Sequence, residues 1–315
     1  MRVGELCAVL PPTGNTQPRK REGSELNLQV QMWLQAVVNG VALGWLYIIM
    51  ALGLTWILSI MGILQLAHGE VYMIGAYVVY YLCSSLGLNV YFSILISMVV
   101  MAAFGIFLER FLFRARADRD PVLTPIVVST GLSLIMTSGA VAGFGLYEKS
   151  IPRLLYGSVR LFGGAVPKDR LLAIAFSAAA LLLLFLFLKR SKWGQAIMAS
   201  AQNREGALLR GINPNQMAMI SMAIGCALAA LAGALAGSIL MLQPYMGSQP
   251  MLKGLVIIVI GGLGSLAGAF VGGMLLGLID GVVPVIFGPA AAAVAPLVVV
   301  ILILLLRPTG IFGHE

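Results

Sequence analysis

Residues 211–306 read GINPNQMAMISMAIGCALAALAGALAGSILMLQPYMGSQPMLKGLVIIVIGGLGSLAGAFVGGMLLGLIDGVVPVIFGPAAAAVAPLVVVILILLL, and in this whole stretch only Lys253 and Asp280 are charged. A membrane-spanning helix needs about 20 apolar residues, so the stretch holds three or four spans. Upstream, residues 26–108 carry one charge, Glu70, and again hold three or four. Residues 121–147 and 171–188 carry none and hold one span each. The total is roughly eight to ten. Composition agrees: of 315 residues, 60% are hydrophobic and 10% charged, against about 25% charged in a soluble domain. Mean hydropathy is +0.97. A soluble enzyme, a disordered chain and a nucleic-acid module are excluded. The expected fold is an all-α polytopic integral membrane protein of roughly eight helices, some broken or re-entrant.

The net charge of +8 follows from where the cations sit. Three basic loops separate the apolar stretches: Glu109–Asp120, Glu148–Arg170 and Lys189–Arg210. Single spans lie between them, so the first and third share one side and the second faces the other. Cytoplasmic loops carry the excess of Lys and Arg, which places the first and third loops inside, with the C-terminus. The three cysteines, Cys7, Cys83 and Cys226, are too scattered for a disulfide framework or a metal site. Residues 1–28, with Pro11, Pro12, Gly14, Pro18 and the run Arg19-Lys20-Arg21, read as a disordered tail. They do not form a secretory signal, because the cations follow the short apolar run. A downstream start at Met32 is the alternative.

Two places interrupt the apolar pattern. The first is Gln65-Leu66-Ala67-His68-Gly69-Glu70. Ionisable groups at bilayer depth are costly and face a cavity or a partner. A break in the helix there is tolerated only where backbone is buried or lines water. The segment is either such a half-span or a short connection at the membrane surface. The second is Gly261-Gly262-Leu263-Gly264-Ser265, after which Gly264, Gly268 and Gly272 fall four apart on one helical face. That face suits close helix packing. Asp280 follows, ahead of Pro284. Two interrupted segments in corresponding halves suit an inverted-repeat transporter with its path at their interface. The isolated charges Glu70, Lys253 and Asp280 mark where that path runs.

Residues 191–213 form a segment rich in helix formers between two spans. Asn203 is placed to cap a second short helix, with Glu205 near its positive end. Gly211 stops it and Pro214 opens the next span. A short helix of this kind docks into a groove of another protein, or rests on lipid headgroups.

This segment resembles the coupling loop of ABC importer permeases, and the spacing from Ala201 to Gly211 is similar to that of the Liv-type branched-chain amino-acid permeases. The resemblance runs from about Met32 to the end of the chain. It includes Gly62–Tyr77 around Ala67-His68-Gly69, Pro244-Tyr245-Met246-Gly247, Gly261–Ala269, and the ending Leu306-Arg307-Pro308-Thr309-Gly310. The chain departs from the family at Gln65-Leu66, where Asn-Phe is usual, at Asp280, where Glu is more common, and in its N-terminal tail. The resemblance implies a permease domain over 29–315 in a bacterial inner membrane, with a cytoplasmic coupling loop at 191–213. It implies as partners a second homologous permease, two cytoplasmic P-loop ATPases and an external substrate-binding protein. No G-x-x-x-x-G-K-[ST] sequence is present, so ATP belongs on the partners and the chain is expected to bind no cofactor and catalyse no reaction. Candidate contacts to the ATPase are Ala201, Arg204, Glu205, Gly206, Arg210 and Gly211. Candidate path or gate residues are Gln65, His68, Gly69, Glu70, Gly261, Gly262, Gly264 and Asp280. Branched-chain amino acids are the implied cargo; related permeases carry urea, short amides and other amino acids. The alternatives are an ion-coupled secondary transporter using His68, Glu70 and Asp280, and a membrane scaffold.

Overall fold

A computed structural model describes residues 18–114, 123–161 and 164–312. The order is α1 (Pro18–Met61), α2 (His68–Leu86), α3 (Val90–Phe107), a π-helical continuation (Leu108–Phe113), α4 (Leu123–Phe144), β1 (Ser158–Leu161), β2 (Gly164–Pro167), α5 (Lys168–Arg190), α6 (Lys192–Gln202), α7 (Arg204–Leu209), α8 (Pro214–Ile239), α9 (Ser248–Gly261), α10 (Leu266–Phe287) and α11 (Pro289–Leu306). Of the expected tail 1–28, residues 1–17 lie outside the described residues, and α1 is already helical from Pro18. The second half of the first basic loop, residues 115–120, and residues 121–122 after it also lie outside them.

Among the described residues, seven helices are long and apolar enough to cross a membrane: α1 from Gln29, α3 with its continuation, α4, α5, α8, α10 and α11. Two more start inside the bundle. Helix α9 has 14 residues, about 21 Å at 1.5 Å per residue, and falls short of a hydrocarbon core about 30 Å thick. Helix α2 begins at His68 and Gly69, both buried. Seven full helices and two internal ones make up the broken-helix membrane architecture expected from the charge pattern.

The packing falls into two halves. Helix α1 packs along α10 and α3 along α8, while α1 and α8 cross at the centre. Gly53 and Gly225 form that crossing: a Cβ on either would meet the carbonyl of the other. The C-terminal end of α1 (Ile60, Met61) meets the N-terminal end of α8 (Pro214, Asn215) around one cleft, so the halves run in opposite senses. Each half then breaks. After α1 the chain reverses through residues 62–67, and after α8 through residues 240–247. The internal helices start at these breaks and touch head to head. A Cβ on Gly69 would collide with the Gly247 carbonyl, and one on Gly247 with the Gly69 carbonyl.

This corrects one expectation. The counterpart of Gln65–Glu70 is the segment 240–247, not Gly261–Ser265. The latter is a tight corner between α9 and α10, in which Gly261 and Gly268 touch backbone to backbone. The glycine stripe is packing in both registers. Gly272 seats Ile257 of α9, while Gly273 and Gly277 seat Ile48 and Gly44 of α1, allowing the backbone approach that membrane helices use in place of a hydrophobic drive.

The basic loops sort to the two ends as parity demands. Arg114 donates to the Asn215 carbonyl (2.9 Å) and pairs with Glu109 (2.6 Å), and Arg204 reaches Asn215 Oδ1 (3.5 Å). The first and third loops therefore share an end. At the other, Tyr91 donates to the Leu154 carbonyl (2.8 Å) and Lys149 pairs through its backbone with Leu242. The second loop also holds a short antiparallel hairpin, β1–β2, so an otherwise helical chain carries its extended pairing at this end.

Candidate functional site

The candidate path residues do not converge on a single point. Gln65 is fully buried beside the Cys226 thiol of α8. His68, also fully buried, faces α1, where a Cβ on Gly53 would lie 2.8 Å from its Nε2. Glu70 points to the far side of α2, where Thr137 of α4 donates to its Oε1 (3.4 Å). The Gln65 amide lies against the Cys226 thiol and the His68 ring against the Met50 backbone, while Oε2 of Glu70 has no hydrogen-bond partner among the described residues. Three polar side chains thus radiate from one helix break into three neighbouring helices. Gly69 sits at the head-to-head junction. Gly261, Gly262 and Gly264 lie at the other end of α9, where the C-terminal segment closes over them: Ile311 N–H donates to the Ile260 carbonyl (2.9 Å) and Phe312 N–H to that of Gly261 (3.1 Å).

Asp280 stands in a different cluster. Its Oδ2 accepts from the Tyr47 hydroxyl (2.7 Å) and pairs with Lys253, and Lys253 Nζ lies 2.8 Å from the Tyr47 oxygen. The Asp280 side chain is 6% exposed and that of Lys253 24%. Helices α1, α9 and α10 each supply one member, so the two isolated charges of residues 211–306 neutralise each other at bilayer depth, as buried charges must. Tyr47 was invisible in the sequence, where it is one tyrosine in an apolar run.

Two cavities flank this ion pair. One, of about 420 Å³, lies between α1, α5, α8 and α10 and includes Asp280 and Arg170 in its wall. The other, of about 410 Å³, lies along the 240–247 break and includes Lys253, Tyr47, Tyr72 and Gln243. Leu43, Leu46 and Leu240 line both, so the ion pair stands in the partition between them. Sequence spacing could not place Arg170 or Gln243 here, since both sites are assembled from helices far apart in the chain.

The segment 191–213 folds as its local signals dictate. Ser191 accepts from Trp193 N–H (3.2 Å). Asn203 accepts from Gly206 N–H (2.8 Å) and so caps α7. Gly211 ends that helix at φ 76°, a conformation that suits glycine. Asn213 caps α8, with Pro214 in its first turn. Ile197 and Ala207 anchor the pair of helices to the bundle. Arg204, Glu205, Arg210 and Gly211 are exposed, and Ala201 and Gly206 half-buried. Leu209 is 91% exposed. A capped double helix therefore projects from the bundle end, presenting charge around an unburied leucine. Such a surface suits a partner groove.

Inverted halves, head-to-head internal helices and a projecting helix pair define a membrane permease. The chain belongs to the family described as branched-chain amino acid transport system / permease component, whose model matches residues 36–306. It is 32% identical over 300 residues to the high-affinity branched-chain amino acid transport system permease protein BraD of Pseudomonas aeruginosa, covering 91% of this chain and 97% of that one. It is 29% identical to LivH of Escherichia coli, described in the same words, with the same coverage. LivM of Salmonella typhimurium, a further permease protein of that kind, is 26% identical over 70% of this chain and 57% of its own length.

Proposed function

We propose that this chain is one of two membrane subunits of an ATP-driven, binding-protein-dependent importer for branched-chain amino acids in a bacterial cell membrane. The observation that carries the reading is the capped α6–α7 projection, with Leu209 bare and Arg204, Glu205 and Arg210 around it, on a chain similar to BraD and LivH along nearly its whole length. The chain lacks a phosphate-binding loop, so nucleotide would bind two cytoplasmic ATPases and no cofactor would sit on this subunit. The likeness to LivM supports a second, homologous permease as its mate. An external binding protein would deliver the cargo.

In this reading the ATPases act on α6–α7, and Ile197 and Ala207 pass the push to α5 and α8. Nucleotide binding shifts the population between two arrangements of the halves. The Gly53–Gly225 crossing and the Gly69–Gly247 junction are close backbone approaches between those halves and would serve as pivots. The test is leucine uptake into proteoliposomes holding the complete complex. Uptake should require ATP on the ATPase side and should fall at least tenfold on Leu209→Arg. Uptake by this chain without any ATPase, driven by an ion gradient, would refute the proposal in favour of a secondary transporter.

A further inference from the structure

We propose that the cavity between α1, α5, α8 and α10 is a holding site for the zwitterion of an apolar amino acid in transit, with Arg170 taking its carboxylate and Asp280 its ammonium. This rests on the importer reading and adds a place within this chain where cargo is recognised. At about 420 Å³ the cavity falls in the range of small-molecule sites, about 300–1,000 Å³. Its wall is mostly hydrocarbon, including Leu43, Leu46 and Val285, and its charged members are Arg170 and Asp280.

The charges decide the ligand class. Asp280 is neutralised by Lys253, which leaves the half-buried Arg170 without an ion pair among the described residues. An anionic group is needed there. Asp280 nevertheless retains acceptor capacity. Lys253 and Tyr47 both use Oδ2, while Oδ1 is buried without a partner among the described residues. Pro284, inside α10, has no N–H to give the carbonyl four residues earlier, and that carbonyl is Asp280's own. One residue thus keeps an unpaired side-chain oxygen and a backbone oxygen without its helical donor, which suits a group with several donors, such as an ammonium. A plain carboxylate would leave those acceptors unfilled. A plain amine would bring a second cation beside Arg170. An α-amino acid satisfies both, and the leucine-lined wall suits an apolar side chain.

The test uses the purified, detergent-solubilised importer complex without its binding protein, and reads the thermal unfolding midpoint. L-Leucine at millimolar concentration should raise the midpoint. 4-Methylpentanoate, which lacks the ammonium, and 3-methylbutylamine, which lacks the carboxylate, should not. Arg170→Gln and Leu43→Trp should each abolish the leucine shift, and Arg170→Lys should keep it. Each variant's midpoint without ligand reports whether it folds, and half-buried Arg170 decides the matter if Leu43→Trp does not. No shift with leucine, an equal shift with either analogue, or a shift that survives Arg170→Gln overturns the proposal. ATP-driven leucine uptake by the wild-type complex is measured in parallel. Its absence refutes the importer reading, whereas uptake without a leucine shift refutes the holding site alone.

Discussion

Replacing Lys253 by Met removes the ammonium that neutralises Asp280 and keeps most of the side-chain volume. The carboxylate, 6% exposed, is then left with one neutral donor, the Tyr47 hydroxyl at 2.7 Å. Breaking a buried ion pair from one side costs about 3–5 kcal/mol. Lys253 retains 24% exposure and borders a cavity, so the lower end applies, about 3 kcal/mol. At about 2–4 °C per kcal/mol for a chain of this order, the unfolding midpoint in detergent should fall by roughly 6–12 °C. Removing both charges in Lys253→Met/Asp280→Leu leaves no stranded carboxylate. Its main loss is the acceptor of the Tyr47 hydroxyl, about 1 kcal/mol. The double variant should therefore be more stable than Lys253→Met alone, and because Asp280→Leu by itself also costs stability, the coupling in the double-mutant cycle should be at least about 2 kcal/mol. Additive effects, with coupling below about 0.5 kcal/mol, would refute the claim that these residues neutralise one another in the membrane.

Three further outcomes follow from the packing and the caps. Gly277→Ala places a methyl group against Gly44 of α1 and should cost about 1–3 kcal/mol, whereas Gly139→Ala, which meets open space on α4, should be neutral or gain up to about 1 kcal/mol; thermal unfolding compares them. Asn203→Ala removes the cap on Gly206 N–H at about 1 kcal/mol, so amide exchange over residues 204–209 should speed up roughly fivefold. Lys149 donates to Tyr81 (2.9 Å) and lies 5.0–5.9 Å from the rings of Tyr77, Tyr80, Tyr81 and Phe144. Lys149→Met should cost about 1–2 kcal/mol and raise proteolysis of the loop it ties to Leu242.

Much of this architecture is local and was therefore readable. Asn203, Gly211 and Pro214 act within a few residues of themselves, through a cap, a left-handed stop and a helix start, so the bounds of α7 follow from residue types alone. Loop parity follows from apolar length and charge, both sums along the chain. The helix break at Gln65–Glu70 was legible because polar groups among apolar ones need a reason at bilayer depth. What that break meets was not. Glycine signals only that something comes close, so Gly261–Ser265 and Gly247 read alike in sequence, yet one turns a corner and the other seats the opposing half. The candidate path residues divided for the same reason: neighbours at 65, 68 and 70 point to three different helices.

The sequence by itself determined a multi-pass helical membrane protein with two opposed sets of loops, a polar interruption near His68 and a capped short helix between two spans. It did so because solvation by a bilayer and the hydrogen bonds of helix ends act residue by residue. Only the tertiary structure decided that α2 and α9 meet at Gly69 and Gly247, that Tyr47 completes the Lys253–Asp280 pair, and that Arg170 shares a cavity with Asp280. Those contacts join positions that lie far apart along the chain, and backbone approach and charge neutralisation are set by which helices pack, a choice no single segment can make.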